Sequence, residues 1–145
     1  MAKVGSNSHE LVAFISSTYK DLAPFRAKVE EVLSRIEASF RSMRFFGSQE
    51  GEPLEQCLEK VRGCNYYIGI VGHRYGEVHK LHQRSYTELE YEEGKRIGIK
   101  RRIYVAGPSV RILPEHVEPD EKRKQLEAFK QKLRKENSIV TFTSP

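Results

Sequence analysis

One carboxylate, Glu88, has the setting in this sequence that best suits chemistry. It closes the run Ser85-Tyr86-Thr87-Glu88 and opens a stretch of good helix formers, Leu89, Glu90, Glu92, Glu93 and Lys95. Upstream, the apolar run Tyr66 to Val71 ends in Gly72-His73-Arg74-Tyr75-Gly76. Such a run suits a strand buried on both faces, and its paired glycines suit a loop leaving the C-terminal end. In an open α/β sheet these loops and the N-termini of the following helices share one edge, where ligands collect. Glu88 is expected on that edge, in a site for a nucleotide.

The same edge should gather partners for a nucleotide. The turn Ser16-Ser17-Thr18 follows the first apolar run and offers hydroxyls and backbone N–H groups for phosphate. Arg74 offers a charged, bidentate contact, and Tyr75 or Tyr86 a ring for stacking. Plainer roles compete for each of these. Ser85 and Glu88 also fit a capping box, worth about 0.5–2 kcal/mol to a helix. Ser16 to Thr18 equally fits a turn that starts a helix. Glu90, Glu92 and Glu93 read as a solvated helix face. His73, His79 and His82 lie close in sequence without a matching acid or thiol, so no metal site is expected.

The elements that position these residues alternate. Leu11 to Ile15 reads as a first strand. Leu22, Phe25, Val29, Val32, Leu33 and Ile36 recur at spacings of three and four, giving a helix with one apolar stripe. Phe40 to Phe46 suits a second strand. Pro53 suits the first position of a helix carrying Leu54, Cys57, Leu58 and Val61, with Gly63 near its stop. Tyr66 to Val71 is the third strand, and the helix from about Thr87 ends near Gly98 as a C-cap. Arg102 to Ala106 is the fourth strand, Pro108 to Pro119 a long loop, Leu126, Phe129 and Leu133 the stripe of a charged helix, and Ile139 to Thr143 the fifth strand. Right-handed crossovers then predict an α/β, flavodoxin-like three-layer sandwich with a five-stranded, mainly parallel sheet in the order 2-1-3-4-5. Its switch point lies between strands 1 and 3, beside Ser16 to Thr18 and Gly72 to Gly76.

Composition sets the outer bounds. The 145 residues suit one domain over 11–145 behind a flexible N-terminal segment, 1–10, and the missing final helix suggests part of a longer protein. Cys57 and Cys64 are too few for a disulfide scaffold, and both suit reduced thiols at the core. No apolar run nears the roughly 20 residues that span a bilayer, so a cytoplasmic protein without a membrane partner is expected. The excess of 25 basic over 20 acidic residues is spread over helix ends and a mixed-charge helix. It lacks an aromatic stacking platform, and nucleic acid is not expected as a partner.

Several motifs together resemble a known family. Phe14-Ile-Ser-Ser-Thr-Tyr-Lys-Asp21, Cys57-Leu-Glu, Tyr67-Ile-Gly-Ile-Val-Gly, Arg74-Tyr-Gly and Ser85-Tyr-Thr-Glu-Leu-Glu-Tyr91 resemble an uncharacterised, TIR-like domain family. Its members stand at the N-termini of NTPase-bearing, NLR-like receptors of the STAND type. The resemblance covers most of residues 11–107. Within TIR domains proper, the opening box is matched by Phe14 to Ser16 and Lys20-Asp21, and the catalytic glutamate falls on Glu88. A similar glutamate occurs in nucleoside deoxyribosyltransferases. Two departures stand out: Asn65 replaces an expected aspartate, and no Trp is present for the Trp-Cys pair of many TIR helices.

The resemblance implies an effector or signalling domain of immune or conflict-type systems, a candidate NAD glycohydrolase activated by self-assembly. Glu88 would be catalytic, with Ser16, Ser17, Thr18, Gly72, Arg74, Tyr75 and Ser85 around the nucleotide. NAD would be the substrate, with no tightly bound cofactor. Partners would be further copies of the domain and NTPase or receptor domains. A non-catalytic homotypic or nucleotide-sensing module is the alternative, and a deoxyribosyltransferase-like enzyme a third reading.

Overall fold

The computed structural model describes residues 10–40, 43–49 and 51–145. Apart from Glu10, the expected N-terminal segment lies outside them, as do residues 41–42 of the expected second strand. The elements run β1 (Leu11–Ser17), α1 (Ala23–Phe40), β2 (Met43–Gly47), α2 (Leu54–Arg62), β3 (Tyr66–Val71), α3 (Tyr86–Ile97), β4 (Lys100–Ala106), a short 3-10 turn (Pro114–His116), α4 (Asp120–Glu136) and β5 (Ile139–Phe142). All five strands pair in parallel, in the order β2-β1-β3-β4-β5. This is the expected flavodoxin-like arrangement.

The central strands are apolar over the stretches where both of their faces are covered. Phe14, Tyr67, Ile103 and Val105 meet Val61 of α2, Tyr91 of α3 and Leu126, Phe129 and Leu133 of α4. On the other face, Ala13, Ile15, Ile68 and Ile70 meet Leu33 of α1, with Phe25, Val29 and Ile36 packed alongside. Each fully buried large side chain contributes about 1.5–3 kcal/mol. Three helices thus lie on one face, and among the described elements α1 alone lies on the other. Cys57 and Cys64 are buried free thiols, as expected.

Asn65, which stands where an aspartate was expected, works at the edge away from the strand exits. Its side chain accepts from the Val12 N–H at 2.9 Å and donates to the Glu10 carbonyl at 2.7 Å, fixing the register of β1 against β3. An amide supplies both roles, which an ionised aspartate does not. Among the described residues no helix is long and apolar enough to cross a membrane.

Candidate active crevice

Strands β1 and β3 are neighbours whose connections leave in opposite directions, and a cleft of about 400 Å³ opens above their C-terminal ends. Ser17 to Lys20 after β1 form one wall, and Ser48, Gln49 and Glu52 after β2 form a second. Arg74, Gly76 and Glu77 after β3 form a third, while Tyr86, Thr87 and Glu90 reach in from α3. Gly76 has φ +95°, and a Cβ there would stand 2.9 Å from Thr18 Cγ2, so the approach of these two loops requires glycine.

Glu90 is the carboxyl that the cleft is built around. It is only 3 % exposed. Ser16 Oγ donates to its Oε1 at 2.6 Å, and Ser48 Oγ donates to its Oε2. Burial pushes its pKa up to about 7, against the pull of the two hydroxyls, and Glu52 adds to the rise. Glu52 is the contrasting acid. Burial raises its pKa, but the Gln49 N–H at 2.8 Å and Lys60 at 2.9 Å outweigh burial and hold it below the ordinary value.

Two polar groups at the crevice lack a hydrogen-bond partner among the described residues: the buried Thr18 hydroxyl and Nε of Arg74. Arg74 lies between two carboxylates, Asp21 at 3.5 Å and Glu118 at 3.7 Å. Glu118 also accepts from the backbone N–H groups of Tyr75 and Gly76, at 2.6 and 2.9 Å. The loop after β3 is therefore clamped from the start of α4.

A family model described as "Domain of unknown function (DUF4062)" matches residues 12–145. The chain belongs to the DUF4062 family. No curated protein matches it. The DUF4062 match takes in all the crevice residues named above.

Within this DUF4062 fold the expected site residues divide. Ser17, Thr18 and Arg74 line the crevice, and Ser16 lies beneath it on Glu90. Gly72 instead backs onto Leu22, where a Cβ would stand 3.0 Å from Cδ2. Tyr75 is buried against Phe129, with ring centroids 6.4 Å apart, and its hydroxyl donates to Glu88. Burial, and then that bond, push the Tyr75 pKa up to about 12.

Glu88 itself points to the α4 side of α3. It is paired there with Lys132, which also holds Glu92. Burial lowers the Lys132 pKa, but the two carboxylates outweigh it and the net shift is upward. The reading of Glu90, Glu92 and Glu93 as a solvated face is corrected by the same geometry. Glu90 and Glu93 are buried, the latter against Arg62 of α2 at 2.9 Å, and Glu92 is tied to α4. The reason is that α3 is packed on two sides, so only a narrow strip of it meets water.

Ser85 is fully buried and its Oγ accepts from the Glu88 N–H at 3.1 Å, which is the serine half of a capping box. The glutamate side chain goes to Tyr75 and Lys132 instead. Ser85→Ala is expected to cost about 1 kcal/mol, within the roughly 0.5–2 kcal/mol of such caps. A urea midpoint unchanged from the parent would show that the cap contributes nothing.

Sequence reasoning missed Glu90, Ser48 and Glu52 as site residues. A signal for Glu90 was present. Thr87 and Glu90 are three residues apart and share a helix face, while Glu88 lies about a quarter turn away from Thr87.

Proposed function

We propose that the crevice binds a nucleotide and cleaves its N-glycosidic bond, with Glu90 as the carboxyl at the reacting centre. The observation that carries this reading is a buried carboxyl, bonded by two hydroxyls, at the floor of a cleft at the sheet's switch point. Ligands of open α/β sheets bind at such points, and glycoside cleavage is carboxyl chemistry. Thr18 and Arg74 line the walls where a phosphate would need donors, and Tyr86 at the wall suits a base.

The motif resemblance supports a TIR-like effector domain, working in the cytoplasm beside NTPase or receptor domains and activated by self-assembly in immune or conflict-type signalling. It nominates NAD as substrate. Nucleotides with neutral bases fall within the same reaction class.

A non-catalytic homotypic module is the second reading, and a specific feature favours it. Between α1 and strands β4 and β5 lies an apolar groove of about 320 Å³, lined by Phe25, Val29, Val32, Tyr104 and Phe142. Val32 is 42 % exposed there, and burying such a face against a second copy would drive association.

The test uses the chain fused to an oligomerising scaffold, with assembly verified by light scattering. Free base is followed from NAD and from nucleoside monophosphates. The parent is expected to release base, Glu90→Gln to lose at least about 100-fold, and Glu88→Gln to stay within about tenfold, the range of one general acid being roughly 10²–10⁴. Loss in Glu88→Gln but not in Glu90→Gln returns the role to Glu88. No base from any nucleotide by the assembled parent leaves the interaction module as the function.

A further inference from the structure

The two acids of the crevice have hydrogen-bond partners of different kinds. Glu90 is held by the hydroxyls of Ser16 and Ser48, and a hydroxyl can donate or accept by rotating. Glu90 can therefore keep both partners with or without its proton. Glu52 is held by the Gln49 N–H and the Lys60 ammonium, which can only donate. That shell fixes Glu52 as an anion. Both side chains line the same cleft, with Thr18, Arg74 and Tyr86 on its other walls.

We infer that the substrate class of the crevice is a nucleoside monophosphate with a neutral base, and that Glu90 is the acid protonating the departing base while ionised Glu52 faces the sugar. The inference rests on the N-glycosidase reading and names the substrate within it. A neutral purine or pyrimidine would leave as an anion unless it takes a proton. The nicotinamide of NAD is already cationic and leaves as a neutral molecule, so a carboxyl proton has no use there. Glu90 is built to hold a proton and give it up. Pairs of acids whose surroundings separate them in this way divide the acid and anionic roles in glycoside cleavage.

The step balances with water alone. The C1′–N bond breaks with its electron pair passing to the base nitrogen, and the base takes the Glu90 proton. The positive charge on the ribose faces the Glu52 carboxylate. Water oxygen bonds to C1′ and loses its proton to bulk water, which returns one to Glu90, while Glu52 stays ionised throughout. The products are the free base and ribose phosphate. Burial, which pushes the Glu90 pKa up to about 7, keeps a large protonated fraction near neutrality, and activity should decline above that pH.

The test compares the assembled parent with Glu90→Gln and Glu52→Gln on three probes: inosine monophosphate, NAD, and a nitrophenyl riboside whose phenolate leaves without a proton. Glu90→Gln is expected to lose at least about 100-fold on inosine monophosphate and less than about tenfold on the nitrophenyl riboside. Glu52→Gln is expected to lose on both. Cleavage of NAD without cleavage of inosine monophosphate overturns the inference and leaves the N-glycosidase reading standing. An equal loss on both probes in Glu90→Gln also overturns it. If the assembled parent cleaves none of the three, the N-glycosidase reading itself fails, and this inference with it.

Discussion

Glu90→Gln is expected to make the protein more stable above neutral pH while it removes most of the activity. The folded-state pKa of Glu90 is raised to about 7 from an ordinary 4.5, because burial disfavours the charged form. Below pH 4.5 the group is protonated in both states, and it contributes no pH dependence. Between 4.5 and 7 the folded state binds more protons than the unfolded state, so stability falls as pH rises. Above 7 the penalty is complete, at about 3 kcal/mol for a pKa raised from 4.5 to about 7.

Glutamine fills the same space, carries no charge, and can both donate to and accept from Ser16 and Ser48. Unfolding free energies from urea titrations of parent and variant should converge at about pH 4 and separate by about 3 kcal/mol in favour of the variant at about pH 8. Greater stability with lost activity is the expected signature of a group kept for function at a cost to the fold. A variant less stable than the parent at both pH values would show that Glu90 is a structural anchor.

Glu118→Ala carries the second large effect, in the opposite direction. The Glu118 carboxylate is buried, accepts from two consecutive backbone N–H groups, and lies 3.7 Å from Arg74 and 3.9 Å from Lys122. Truncation leaves two buried donors unpaired and takes from Arg74 one of its two carboxylates. Each buried donor left unsatisfied costs about 1–3 kcal/mol, and the partly exposed Arg74 and Lys122 add little. Because Arg74 and Gly76 line the crevice, nucleotide affinity should fall with the stability. Glu118→Gln keeps an acceptor for one N–H and should lie between Ala and the parent. A loss below about 1 kcal/mol in Glu118→Ala would show that another contact holds the loop.

The fold was legible because its signals are local. Tyr66 to Val71 is apolar almost without interruption since β3 is covered on both faces, and the spacing of Leu126, Phe129 and Leu133 marks the stripe that α4 buries. Gly98 ends α3 in the left-handed conformation, with φ +77°, as its type and place implied. The crevice was legible only in outline. Ser17, Thr18 and Arg74 follow from strand exits, which the sheet order places together. The directions of the carboxylates do not follow, because Glu88 is turned by Lys132, 44 residues away, and Glu90 is enclosed by Ser16 and Ser48, which are 74 and 42 residues away. A run as acidic as Glu88 to Glu93 looks solvated until its neighbours are known. The same distance in sequence hid Glu118, since nothing local in Pro108 to Pro119 says that an acid there clamps the loop after β3.

The most direct test of this account is a carbon-detected NMR titration of the Glu90 side-chain carboxyl, assigned by its disappearance in Glu90→Gln. The account predicts a midpoint near 7 that moves when a nucleoside monophosphate saturates the crevice. A midpoint near 4.5 that no nucleotide shifts would contradict it, and would make Glu90 an ordinary carboxylate outside any site.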